Sequence, residues 1–132
     1  MRFEHIALNV AEPQAMAAWY VQHLGLRVRM AMDQPPYGHF LVDDGGIMML
    51  ELYYNPNAPC PDPGARHHSE LHLALHSSDA VADTQRLCAA GASHVEWVHP
   101  DDGSCISMLR DPWGLAWQLC QRAQPWENSP AQ

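Results

Sequence analysis

Three observations predict an α+β fold built from two tandem βαβββ modules that form a cleft. Phe3-Glu4-His5-Ile6-Ala7-Leu8-Asn9-Val10 and Glu70-Leu71-His72-Leu73-Ala74-Leu75-His76-Ser77 read alike, and their histidines stand 67 residues apart. Leu50-Glu51-Leu52 and Trp117-Gln118-Leu119 repeat a polar residue between apolar neighbours, again at an interval of 67. A shared offset at two places marks a duplicated unit. Both halves also run in one order, a strand-period segment, a helix-period segment closed by glycine, then further strand-period segments.

In module one, residues 1–55, Phe3, His5, Ala7 and Asn9 alternate with Glu4, Ile6, Leu8 and Val10, so one face of a first strand at 3–10 is apolar and His5 points from the other. Pro13 suits a first helical turn, and Met16, Trp19, Tyr20 and Leu24 follow at helical spacing until Gly25, which predicts a helix over 13–24. Leu26, Val28, Met30 and Met32 alternate with Arg27, Arg29 and Ala31 in a second strand, and Gln34-Pro35-Pro36-Tyr37-Gly38 is a loop. His39–Val42 and Ile47–Tyr54 complete the module as strands joined by Asp43-Asp44-Gly45-Gly46, a hairpin signal.

Four prolines and one glycine between 55 and 66 preclude a regular element and place the connection at 56–68. Module two, 69–124, restarts the pattern with a strand at 70–76, a cap signal in Ser77-Ser78-Asp79, and a helix near 79–90 carrying Val81, Thr84, Leu87 and Cys88 and ending before Gly91. Strands near 94–98, 105–110 and 115–121 follow, with turns at Asp102-Gly103 and Pro112-Trp113-Gly114. Residues 125–132 read as a C-terminal tail with Trp126 as its one large apolar group.

The 132 residues, 47% hydrophobic, suffice for one domain spanning 1–124. A net charge of −8, with seven Lys and Arg against fifteen Asp and Glu, leaves no basic stripe for phosphates and excludes nucleic acid as a partner. No apolar run is long enough for a bilayer, and Met-Arg-Phe-Glu-His lacks a signal-peptide core, so a cytoplasmic protein without membrane contact is expected. The four cysteines have no C-x-x-C spacing and read as reduced thiols. Trp113, Trp117, Trp126 and the apolar strands offer more apolar surface than so short a chain covers, which predicts a homodimer.

Taken singly, a histidine or glutamate on a strand is more often a surface or hydrogen-bonded residue than a ligand. His5, Glu51, His72 and Gln118 differ in being equivalent positions of a duplication, and two imidazoles, a carboxylate and an amide suit a divalent ion. Ala7 and Ala74 leave space beside each histidine. Mixed nitrogen and oxygen donors accept Zn, Ni, Co, Mn or Fe alike. A competing set, His68, His72 and His76, would align on a helix, but the leucines between them mark a strand, where 72 and 76 stand about 13 Å apart. Trp19, Tyr53, Trp113 and Trp117 are candidate apolar walls, core or interface.

His5-Ile6-Ala7-Leu8-Asn9-Val10, Trp19-Tyr20 with Leu24-Gly25-Leu26, Leu50-Glu51-Leu52-Tyr53-Tyr54-Asn55, His72-Leu73-Ala74-Leu75 and Asp111-Pro112-Trp113-Gly114 before Gln118-Leu119 resemble the vicinal oxygen chelate superfamily. That group includes glyoxalase I, extradiol dioxygenases, fosfomycin-resistance enzymes and bleomycin-binding proteins. Within it the resemblance is nearest to bacterial glyoxalase I, whose His, Glu, His and Glu ligands correspond to His5, Glu51, His72 and Gln118. Gln118 departs from that pattern, since an amide coordinates but cannot take a proton. Glu51 is then the one candidate base.

The resemblance also implies substrate contacts. Asn55 matches an asparagine of the glutathione site, Asn9 stands where an arginine is common, and Arg122 or Arg110 is a candidate replacement; Tyr53 lies beside them on the fourth strand. The leading expectation is therefore a metal-dependent lyase or isomerase acting on a small substrate with vicinal oxygens, a hemithioacetal or a 2-oxo or 2-hydroxy acid. The alternative is a non-catalytic small-molecule-binding protein of the bleomycin-resistance type, for which bound metal is the discriminator. A metal-bearing fold with a regulatory or structural role is the third.

Overall fold

The computed structural model describes residues 3–46, 48–124 and 126. The chain divides into two compact units, Met1–Pro61 and Asp62–Gln132. Each holds one module in the expected order, with small changes at the ends.

In the first unit, β1 (Ile6–Asn9), α1 (Pro13–Leu24), β2 (Arg27–Ala31), β3 (His39–Val42) and β4 (Met49–Tyr53) form a sheet of order β1-β4-β3-β2 with the helix on it. The strand expected at 3–10 is shorter, so His5 stands just before β1, and Ile47 lies outside the described residues. Pro13 begins α1 because its missing N–H costs nothing in a first turn. Gly25 ends it at φ 74°, a left-handed conformation that only glycine takes without strain, and its N–H returns to the Tyr20 carbonyl. Met16, Ala17 and Tyr20 of α1 are buried with Leu41, Leu50 and Leu52 of the sheet. Alternation then puts Phe40, Met49, Glu51 and Tyr53 on the opposite face, which stays half-buried.

The second unit repeats this with β5 (His72–His76), α2 (Ala80–Ala89), β6 (Ser93–Val98), β7 (Cys105–Arg110) and β8 (Ala116–Gln121), in sheet order β5-β8-β7-β6. A short 3-10 turn at Pro63–Ala65, absent from the expectations, precedes it. Asp79 caps α2 by accepting the Ala82 N–H at 2.9 Å. The Thr84 hydroxyl bonds the Ala80 carbonyl at 2.6 Å and lies 2.7 Å from Ser107 Oγ, so the polar atoms buried under α2 are satisfied. All four cysteines are free thiols.

The duplication holds in the registers. β1 runs parallel to β4 with Ala7 opposite Glu51, and β5 runs parallel to β8 with Ala74 opposite Gln118, both pairs displaced by the same 67 residues. One edge strand of each sheet also carries a register shift, between Val28 and Met30 in β2 and between His94 and Glu96 in β6.

The connection is tied down by Arg110, whose guanidinium donates to the carbonyls of Pro63 (3.0 Å), Gly114 (2.7 Å) and Arg66 (2.6 Å). Gly114, at φ 86°, lies so close to Gly64 that a Cβ would stand 2.7 Å from its nitrogen. Of the expected tail, Trp126 is described, with the Arg122 guanidinium 4.1 Å above its ring; the rest of 125–132 lies outside the described residues.

Candidate functional site

The free face of the first sheet carries one cross-strand row, Ala7, Glu51, Phe40 and Met30, each opposite the next. Ala7 is exposed, so nothing of its own fills the space beside Glu51. His5 stands at the end of the row, its Nε2 3.3 Å from Glu51 Oε2 and its ring edge-on to Phe40 at 5.6 Å. The other ring nitrogen, Nδ1, pairs with the Glu4 carboxylate. Side-chain exposures of 34% for His5 and 21% for Glu51 leave both reachable by a ligand. Gly38 keeps the approach narrow, since a Cβ there would stand 3.4 Å from Met32 Sδ and 3.9 Å from Glu51 Oε1.

Tyr53 shares this face, two residues along β4 from Glu51. Asn9 is committed to the backbone: its Nδ2 lies 3.1–3.3 Å from the carbonyls of Asn55, Ala58 and Pro59, and its Oδ1 accepts the Asn55 N–H at 2.8 Å. The Asn55 carboxamide in turn accepts the Asn57 N–H at 2.9 Å. Asn9 and Asn55 thus shape the loop beyond β4. At the lower end of the face an open groove of about 910 Å³ is lined by Phe3, Glu4, Arg27, Arg29, Val42, Gly46, Met48 and Met49.

On the second sheet the corresponding row is Ala74, Gln118, Met108 and Glu96. His72 lies on the same face as Ala74, its Nδ1 shielded from solvent and without a hydrogen-bond partner. Gln118 Oε1 is 3.7 Å from the Cys120 thiol. Arg122 follows β8, and its guanidinium is taken up by Trp126. The row ends in a pair that sequence reasoning missed, His68 Nε2 at 2.6 Å from Glu96 Oε1. The available signal was the alternation of Glu96 with Val98, which the register shift in β6 disguises.

This geometry corrects the metal assignment. Among the described residues no three His, Cys, Asp or Glu side chains form a group able to hold an ion. In the first unit Glu4 and Glu51 sit on opposite nitrogens of one imidazole, so the three side chains diverge where ligands of one ion must converge. In the second, His72 has beside it a neutral amide rather than a carboxylate, and the His68 Nε2 is taken by Glu96. The expected Zn, Ni, Co, Mn or Fe on His5, Glu51, His72 and Gln118 is therefore withdrawn.

Residues 2–119 match the family model described as Glyoxalase/Bleomycin resistance protein/Dioxygenase superfamily. The chain belongs to this superfamily. No curated protein matches it. Among solved structures, TnmS3, described as an antibiotic binding protein from Streptomyces sp. CB03234, is similar at TM-score 0.69 and 21% identity, over 93% of this chain and 99% of that one. A glyoxalase family protein from Bacillus cereus gives TM-score 0.75 and 17% identity over 91% and 93% of the two chains. A glyoxalase I variant from Zea mays gives 0.72 and 23%, over 93% of this chain and 46% of its own.

Binders and enzymes of the superfamily thus share the fold, and no member is set apart, glyoxalase I included. The expected metal-dependent lyase or isomerase is overturned with its metal: the reaction needs an ion to polarise the substrate oxygens, and the described residues hold no donor set for one. Glu51, expected as its base, is instead the ion-pair partner of His5.

Proposed function

We propose that this superfamily member is a small-molecule-binding protein that holds a planar aromatic ligand on the free sheet face of its first unit and releases it unchanged. The observation that carries the reading is the row of Phe40 and Glu51, half-buried beside exposed Ala7 and continuous with the groove at Val42 and Met49. Apolar walls with a few fixed polar groups are the ordinary make-up of a ligand site. Phe40 and Tyr53 supply the stacking surface and Glu51, oriented by His5, accepts hydrogen bonds from the ligand. Asn9 and Asn55 hold the loop that borders it, and Arg122 serves the equivalent face of the second unit. Binding of an antibiotic by TnmS3, on the same fold, supports the reading.

Dimer formation is part of the proposal, supported by the exposure of Val28 on β2 and of Val95, Trp97 and Val98 on β6, all outside the ligand groove.

Titration calorimetry against a panel of planar aromatic antibiotics tests the reading. Saturable binding is expected, with the ligand recovered intact by chromatography, and Phe40→Ala should weaken it about tenfold, the loss of one stacked aromatic contact and its buried area. Ligand that is consumed, or a Phe40→Ala affinity equal to wild type, would refute it.

A further inference from the structure

The groove at the lower end of the face has a chemistry of its own. Its walls are Phe3, Val42, Met48 and Met49, yet it is bordered by Arg27 and Arg29, two of only seven basic residues in a chain of net charge −8. Arg27 lies across from Val42 in the β2–β3 register, and Arg29 sits at the register shift, where the extra residue turns its side chain out of the regular alternation.

The charges facing these guanidinium groups leave them able to take another anion. Glu4 is engaged by the His5 Nδ1. Arg27 donates to the carbonyls of Asp43 and Asp44 at 3.3 and 3.4 Å, and its ion pair with Asp44 is long, 4.0 Å, against a carboxylate 98% exposed. Such a pair contributes little. Arg29 has no hydrogen-bond or ion-pair partner among the described residues. Two forked donors above an apolar floor match a carboxylate, sulfonate or phosphate carried on an apolar body, because the charge-assisted bonds fix the head while the body is removed from water.

We infer that Arg27 and Arg29 form an anion subsite, and that the ligand of this face is an anionic amphiphile, an aromatic molecule bearing an acidic group. The inference rests on the small-molecule reading above and narrows its ligand class.

A matched pair of fluorescent probes tests it: anilinonaphthalene sulfonate, and its uncharged analogue N-phenylnaphthylamine. Wild type should bind the sulfonate about tenfold tighter than the neutral probe at low salt, and the preference should shrink as salt screens it. Arg27→Gln with Arg29→Gln should bring the two probes to equal affinity and remove the salt dependence, and Arg29→Lys should keep part of the preference. Equal binding of both probes, or a preference that survives the double substitution, overturns the anion subsite and leaves the small-molecule reading standing. Failure of both probes to bind overturns the two together. If in addition Met48→Arg converts a sedimenting dimer to monomer, the groove is a contact between copies of the chain.

Discussion

Gly25 and Gly114 have similar positive φ, 74° and 86°, and opposite surroundings, so an alanine at each separates conformational strain from steric overlap. Around Gly25 nothing lies within 4 Å of the position a Cβ would take, and Gly25→Ala should cost about 1 kcal/mol, the left-handed penalty alone. Around Gly114 that Cβ would stand 2.7 Å from Gly64 N and 2.8 Å from Gly64 Cα, both backbone atoms that no rotamer change can move aside. Gly114→Ala should therefore cost about 3 kcal/mol, the same penalty plus an overpacking term of about 2 kcal/mol. For a chain of this size that difference separates the two melting temperatures by about 6–10 °C. Thermal melts followed by far-ultraviolet circular dichroism measure it. Limited trypsin digestion adds a local readout, because displacing Pro63 and Gly64 loosens their tie to Arg110 and should speed cleavage after exposed Arg66. Equal destabilisation by the two substitutions, or unchanged cleavage in Gly114→Ala, would refute the reasoning.

Burial raises the Asp83 carboxyl, but hydrogen bonds from Ser77 and Arg86 outweigh it and hold its pKa below the ordinary value. A depressed carboxylate stabilises the fold above its unfolded pKa and loses that contribution as pH falls through the folded value, so Asp83→Asn should flatten the acid side of the stability profile below about pH 4 in urea titrations. An unchanged acid slope would count against it. Overnight dialysis against a strong chelator should leave both melting temperature and ligand affinity unaltered; a fall in either, restored by a divalent ion, would reinstate a metal.

The fold was legible because strand alternation and the repeated interval both depend on backbone periods that tertiary contacts do not alter. Ala7 opposite Glu51 and Ala74 opposite Gln118 are the direct expression of that interval in the sheets. The site was less legible because periodicity tells which face a side chain leaves from and nothing about where its lone pairs point. His5 is the instructive case: its face follows from alternation, but its neighbour Glu4 reaches the second ring nitrogen, a contact that alternation alone would place on the opposite side. The residue is not yet in a strand there, since β1 begins at Ile6. Register shifts hid the rest, at Arg29 in β2 and at Val95, just before Glu96, in β6, because an extra residue in one strand reverses the assignment of faces beyond it.

A metal centre and a ligand face make different demands on the same residue types. An ion requires three or four donors to meet within about 2.3 Å of one point, which fixes every side chain at once. A ligand face requires only that donors and apolar surface stay accessible along the span of the molecule it holds. In the first unit one imidazole spends both nitrogens on separate carboxylates, and in the second Gln118 stands at the position equivalent to Glu51, while His68 and Glu96 bond to each other. Apart from His72 Nδ1, which has no partner, these imidazoles and carboxylates pair along a sheet face instead of turning toward a common centre. Polar atoms satisfied in this way are fixed in orientation, and the lone pairs left on Glu51 and Glu96 are presented singly, which suits a hydrogen-bonding ligand but falls short of the several converging donors an ion needs.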